Sequence, residues 1–378
     1  MTDATTPDPA AHPSQPGQSP VQRLRALPRR FWAALRREEQ LIFLLLLTGI
    51  LLCLLFGQGF SPVVFTQYLY LFAGKIGLYF LATRLAFRGA DLWHPRGDRG
   101  RRTKRLLFGP RGGGSAGLFE TDLEFIRGLM VLFVTLSVYT NVKLRIPIIN
   151  ETVGDRFFQR LDHWIFGERL FPWLEQAVHQ REWLSLALQR VYDHDYLFMV
   201  LLVFLLHLRR DLLSIRWCFT AVSITYLLAI FISVAYPTYG PCFVYYNEYG
   251  WLRESTHVGR IQEALMQVTN QAILDAQDGG WVQGRAFYGI AAFPSLHVGH
   301  MSLLVIFAWR VYRIYAPLVF VMTCLTFVAT MAFGWHYAVD GIAGFLLALL
   351  VAPAVHTLIR QTDGGDPPPA ATAPLDPT

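Results

Sequence analysis

A run of sixteen residues without a single charge, LIFLLLLTGILLCLLF from Leu41 to Phe56, restricts this chain more than any other feature. A helix on the surface of a soluble domain is apolar along one stripe only, so it has no use for such a stretch. In a bilayer, about 20 residues of this kind cross the hydrocarbon core with every backbone donor and acceptor satisfied inside the helix. Comparable runs recur near 40–57, 62–83, 123–143, 195–208, 217–236, 297–314, 316–333 and 337–359. They predict an all-α, multi-pass transmembrane bundle of about eight helices, the fourth being the shortest. Composition excludes the alternative of several soluble domains: charged residues make up only 16% of the chain and hydrophobic ones 53%. The net charge of +6 comes from basic residues that flank the apolar runs. That placement suits anionic lipid headgroups and not nucleic acid. Cys53, Cys218 and Cys324 fall inside apolar runs and Cys242 lies in a loop, with no disulfide framework and no metal spacing among them.

The chain divides into four stretches. Residues 1–38 form a Pro-rich, then basic tail, and 361–378 a Pro/Ala/Asp tail, both too polar to bury a core. Residues 39–119 hold two helices and a basic loop, and 120–360 a six-helix unit. With eight crossings, Arg36 and Arg37, the Arg96–Arg111 run, Arg209, Arg210, Arg216, Arg310, Arg313 and Arg360 all fall on one side. Lys143 and Arg145 are the exceptions. The basic side is expected to be cytoplasmic, with both termini there. The segment 148–190, the loop 237–296 and the turn at Gly334–Trp335 then share the opposite face. Aromatic residues interleaved with charges in 148–190, such as Phe157, Phe158, Trp164 and Trp173, predict helices lying in the interface. Leu/Ala/Arg richness and compact loops point to a bacterial inner membrane.

Two segments on the outer face carry chemistry. Ala292-Phe293-Pro294-Ser295-Leu296-His297-Val298-Gly299-His300 opens the sixth helix, and Gly334-Trp335-His336-Tyr337-Ala338-Val339-Asp340-Gly341 the eighth. His336 and Asp340 are four apart and share a helix face. A carboxylate there fixes the imidazole tautomer and frees the other nitrogen as nucleophile or base. His297 is placed to supply or remove a proton. Two histidines and a carboxylate suffice for phosphoryl transfer through a covalent phosphohistidine.

P-S-x-H followed by H-x-x-x-D, each at the mouth of a membrane helix, resembles the type 2 phosphatidic acid phosphatase (PAP2) superfamily, over roughly residues 120–360. That family's motifs read P-S-G-H, S-R-x5-H-x3-D and K-x6-R-P. Here Leu296 replaces the glycine, Ala329 and Thr330 stand where Ser and Arg are expected, and Tyr236-Pro237-Thr238-Tyr239-Gly240-Pro241 lacks the Lys and Arg of the first motif. This pattern of departures is similar to the aureobasidin-resistance branch, the inositol phosphorylceramide synthases. Leu161-Asp162-His163-Trp164-Ile165-Phe166-Gly167 also looks like a segment of bacterial members of that branch. The resemblance implies His336 as nucleophile, Asp340 as its orienter and His297 as the acid that protonates the leaving oxygen. The substrates it implies are a lipid phosphate ester and a hydroxyl acceptor, with no cofactor and no metal. With two cationic clamps missing, Arg285 is the expected phosphate ligand, helped by Ser295 and Tyr239.

The same residues leave other readings open. With water as acceptor the chain would be a lipid phosphatase. His297, His300, His336 and Asp340 as zinc ligands would make it a metallohydrolase, and a transporter would show internal repeats, which this sequence lacks. His300 is expected to be structural, Lys75 to snorkel or pair inside the bundle, and Asp193-His194-Asp195 to be a solvated start of the fourth helix, with lining of the site as the alternative.

Overall fold

The computed structural model describes residues 32, 35–56, 59–94, 96–108, 117–168, 170–278 and 289–362. Among these there are fifteen helices and no strand. In chain order they are α1 (Arg37–Leu55), α2 (Pro62–Leu92), α3 (Gly97–Phe108), α4 (Leu118–Lys143), α5 (Ile146–Ile149), α6 (Asp155–Phe166), α7 (Leu170–His179) and α8 (Glu182–Arg209). They continue as α9 (Leu212–Ala235), α10 (Pro241–Val244), α11 (Gly250–Ser255), α12 (His257–Gln277), α13 (Leu296–Val311), α14 (Ala316–Ala332) and α15 (Ala338–Thr362).

Six of them, α1, α2, α4, α8, α9 and α15, are long and apolar enough to cross a membrane by length and composition. The other two expected spans, α13 and α14, are apolar but have 16 and 17 residues. The all-α multi-pass bundle is therefore the observed architecture. One expected boundary is corrected. The fourth span does not begin at residue 195, because Trp183, Leu184, Leu186, Leu188 and Tyr192 carry the helix back to Glu182. Asp195 is thus interior to α8, and it is buried.

The bundle is organised around α9, which packs against α4, α15, α13, α1 and α8. Its Trp217 ring nitrogen donates to the Ala352 carbonyl of α15 at 2.7 Å. At one end of the bundle, Arg36 grips Glu124 with two hydrogen bonds of 2.7 and 2.8 Å. Arg127 pairs with Glu39 and Arg216 with the buried Glu38 beside it. These pairs lash α1, α4 and α9 together where each begins. At the opposite end the short helices α5–α7, α10 and α11 and the longer α12 cover the bundle, α6 against α15 and α7 against α14.

The crossing of α13 and α15 sets the position of everything that follows. A Cβ on Gly344 would fall 2.1 Å from the Ser295 carbonyl oxygen, so only glycine lets the backbones meet there. The contact is closed by the Ser295 amide, which donates to the Asp340 carbonyl at 2.9 Å. Small residues thereby bring the two histidine motifs, some forty positions apart in sequence, to one place.

Candidate active site

The turn before α13 is tied to the end of α9. The Ala292 amide donates to the Thr238 carbonyl at 2.9 Å, the Phe293 amide to the Thr238 hydroxyl at 2.9 Å, and the Ser233 hydroxyl to the Phe293 carbonyl at 2.6 Å. The turn before α15 is tied to the Pro237–Pro241 turn through Cys242, whose amide donates to the Gly334 carbonyl at 2.8 Å. Gly240 makes this possible. It sits at φ 96°, and a Cβ there would lie 2.4 Å from the Trp335 carbonyl oxygen.

Two carboxylates of α6 hold these turns from above. Asp155 accepts from the amides of Tyr239 and Gly240 at 2.9 and 2.8 Å, and from the Tyr337 hydroxyl at 3.1 Å. Asp162 accepts from the amides of Ala338 and Val339 at 2.7 and 3.0 Å, capping the helix that carries Asp340. Burial pushes the Asp162 carboxyl up, while those two amides pull it back. Seven residues apart, the two carboxylates sit two turns along one buried helix face. That spacing is the available sequence signal, beside the resemblance of Leu161–Gly167 to a segment of bacterial members of the branch.

The histidines form two pairs. His336 Nδ1 lies 3.5 Å from Asp340 Oδ2, which also accepts from the Tyr337 amide at 2.9 Å. His336 is nearly enclosed, and its pKa is pushed down to about 3. Burial contributes most to this shift, followed by the neighbouring His297 ring, with the Lys143 ammonium adding to it. His297 Nδ1 lies 2.9 Å from Asp195 Oδ2, and its Nε2 lies 2.9 Å from the Tyr192 hydroxyl. The ring centroids of His297 and His336 are 6.2 Å apart. The His297 side chain is 37% exposed and that of His336 8%, so the first faces open space and the second its wall. His300, one turn on, turns Nδ1 to the Leu296 carbonyl at 3.0 Å and Nε2 toward Asp195 at 3.7 Å.

The structure thus brings His297, His336 and Asp340 together and adds Asp195 and Tyr192, both from α8. Asp195 is not the solvated helix start expected of it. Ser295 is fully buried as the N-cap of α13, its hydroxyl facing the Val298 amide at 3.5 Å, so the helix engages the group expected to meet phosphate. Tyr239 is half-buried, with its backbone held by Asp155. Arg285 lies outside the described residues. Lys143, one of the two basic residues on the unexpected side, closes α4 at this end. A Cβ on Gly289 would meet its Cγ at 3.3 Å, and its ammonium lies 5.8 Å from the centre of the Tyr139 ring. Lys75 is exposed on α2, with its ammonium 5.9 Å from the centre of the exposed Tyr196 ring, so it does not pair inside the bundle. Among the described residues no group of three or more His, Cys, Asp or Glu side chains is arranged to hold a metal ion.

What this geometry offers is two neighbouring imidazoles, each with a carboxylate beside it, at one end of an apolar bundle. No curated protein and no solved structure matches the chain. A family model described as the PAP2 superfamily matches residues 156–354, more than half of the 378 and inclusive of both histidine motifs. The chain belongs to the PAP2 superfamily, whose members are phosphatases and phosphotransferases.

Proposed function

We propose that the protein is a membrane phosphotransferase that moves a phosphate-linked headgroup between lipids through a phosphohistidine, in the manner of the inositol phosphorylceramide synthases. The observation that carries this reading is the pair of neighbouring rings, His336 and His297, with centroids 6.2 Å apart at the starts of α15 and α13. In the first half-reaction Nε2 of His336 attacks phosphorus. The P–O bond to the leaving lipid breaks, and Nε2–H of His297 gives its proton to that oxygen. In the second half-reaction His297 takes a proton from the acceptor hydroxyl, whose oxygen displaces His336 from phosphorus. Negative charge on the phosphoryl oxygens is met by Lys143 and by Arg285.

A second reading keeps the site and replaces the acceptor with water, giving a lipid phosphatase. The absence of the Lys and Arg of the family's first motif and of the Arg of its third favours transfer, because a dianionic monoester demands more positive charge than a monoanionic diester. The proposed site end faces away from the cytoplasm, as the distribution of Arg and Lys predicts.

The test is purified protein with a panel of labelled lipids: phosphatidylinositol, phosphatidylglycerol, phosphatidylcholine, phosphatidic acid and a polyprenyl diphosphate, each with and without a lipid alcohol. Headgroup transfer supports the first reading and phosphate release the second. His336→Ala is expected to abolish both, and near-normal turnover in that variant would end the phosphohistidine proposal.

A further inference from the structure

Asp195 is a charged residue well inside a helix long and apolar enough to cross a membrane, where an isolated carboxylate is costly and its retention points to a partner. Its side chain is 5% exposed. It stands between two imidazoles, His297 Nδ1 at 2.9 Å and His300 Nε2 at 3.7 Å. The first distance is that of a charge-assisted hydrogen bond, whereas the second is too long for one. The bond leaves His297 Nε2 as the working nitrogen, and the Tyr192 hydroxyl holds that nitrogen at 2.9 Å. A carboxylate on Nδ1 does two things. It fixes the ring's orientation, and it fixes the tautomer that carries a proton on Nδ1.

We infer that Asp195 is the positioning residue of the acid, holding His297 as a proton donor aimed at the leaving oxygen. This rests on the proposed phosphohistidine chemistry and adds a second carboxylate–histidine pair to it. In the first half-reaction the Nε2–H proton passes to the departing alkoxide as its P–O bond breaks, and the Nδ1–H stays on Asp195. In the second, Nε2 takes the proton back from the acceptor hydroxyl. The titratable groups that face the pair are Tyr192 and Asp193 on α8, His300 on α13, Tyr226 on α9 and His336 across the gap.

A residue that acts only through proton donation matters in proportion to how badly the leaving group needs a proton. The donor headgroup that is active in the lipid panel is therefore presented as two phosphodiesters, one of dioctanoylglycerol and one of p-nitrophenol. The second leaves as a stable phenolate and needs no acid. Asp195→Asn is expected to lower kcat/KM for the glycerol ester by about a hundredfold or more and for the p-nitrophenyl ester by only about fivefold or less, the range of a lost general acid. In a His297→Ala background the same change should add no further loss. Asp195→Glu keeps a carboxylate near Nδ1 and should restore part of the glycerol-ester activity. Equal losses on both esters would make Asp195 a packing residue and overturn the inference, as would no loss on either. If Asp195→Asn is not recovered folded, Asp195→Glu is read on the same two esters by the same criterion.

A readout independent of turnover is the proton NMR signal of the His297 Nδ1–H in detergent micelles. A carboxylate partner shifts it far downfield. It should be present in the wild type and absent from both Asp195→Asn and His297→Ala, and its absence from the wild type would overturn the inference. His336→Ala, run alongside, separates the two proposals: activity surviving there removes the phosphohistidine reading, whereas the ester comparison and the NMR signal judge Asp195 alone.

Discussion

Removing the Asp162 carboxylate should loosen the active site from a position that touches neither histidine. Asp162 lies on α6, is 1% exposed, and accepts both the Ala338 and the Val339 amides at the start of α15. Asp162→Ala leaves both amides buried without an acceptor. Each orphaned donor costs about 1–3 kcal/mol, and losing an N-cap costs about 1–2 kcal/mol in itself. A loss of about 3 kcal/mol is therefore expected, on the order of several degrees in Tm. Asp162→Asn keeps one carbonyl oxygen but turns an NH2 toward the other amide, so one donor is orphaned and about 2 kcal/mol is lost. The charge itself adds little, since burial already holds this carboxyl above its usual range.

The site end and the core carry their own reporters for this experiment. Cys242, fully buried, sits under the Gly334 carbonyl, and Cys218, equally buried, lies in the middle of the bundle. In a background with the exposed Cys324 replaced by serine, thiol labelling during a thermal ramp in detergent reads both regions. Asp162→Ala should expose Cys242 at a lower temperature than in the parent, and earlier than Cys218. kcat should fall more than KM changes, because His336 and Asp340 flank the frayed turn. Unchanged Cys242 labelling and unchanged kcat in Asp162→Ala would refute the argument that α6 clamps the catalytic helix.

Three further outcomes are expected. His336 has a folded pKa near 3, below its unfolded value, so its contribution to stability is complete above about pH 6.5 and is lost as pH falls toward 3. Between pH 7 and pH 5 the wild type should lose about 2 kcal/mol more than His336→Ala, and parallel unfolding curves for the two would contradict this. Lys143→Met should cut kcat/KM roughly a hundredfold, the cost of one strong transition-state donor, with Lys143→Arg restoring part; full activity in Lys143→Met with a dead Arg285→Ala would assign the phosphate to Arg285 alone. Finally, a cysteine at the exposed Trp164 should react with a membrane-impermeant reagent from outside intact cells, and one at the exposed Gly97 should not; the reverse pattern would overturn the charge-based orientation.

The histidine motifs and the membrane helices were legible in the sequence because both are local. The four-residue spacing brings His336, in the turn before α15, beside Asp340 in its first turn, and an uncharged run such as Leu41–Phe56 has one stable use. Asp195 was misread for a physical reason. Charged neighbours at Arg190, Asp193 and His194 suggest water, but one helix presents them on several faces, and only packing decides that Asp195 meets α13. Asp155 and Asp162 show the same limit from the other side. Their spacing marks one face of α6, yet nothing in the sequence says that this face meets the amides of the Pro237–Pro241 turn and of α15. Ser295 was assigned to phosphate from its place in the motif, whereas the same Pro-Ser turn needs its hydroxyl to start the helix. Lys143 counted against the charge pattern, and a basic residue that breaks topology statistics is a candidate for chemistry on that side.

The two histidine–carboxylate pairs also explain why the roles do not interchange. A nucleophilic imidazole must be neutral, and His336 has the surroundings that enforce this: it is enclosed, near a second imidazole and an ammonium, with its carboxylate at 3.5 Å and not in hydrogen-bond contact. An acid must hold its proton until the leaving oxygen arrives. His297 is the more exposed ring, and its carboxylate is bonded at 2.9 Å. Enclosure without a bonded partner favours the neutral form of His336. One residue type thus takes opposite parts according to its surroundings. Exchanging the proposed nucleophile and acid would require burying an imidazolium at the enclosed His336, near Lys143, which is unfavourable.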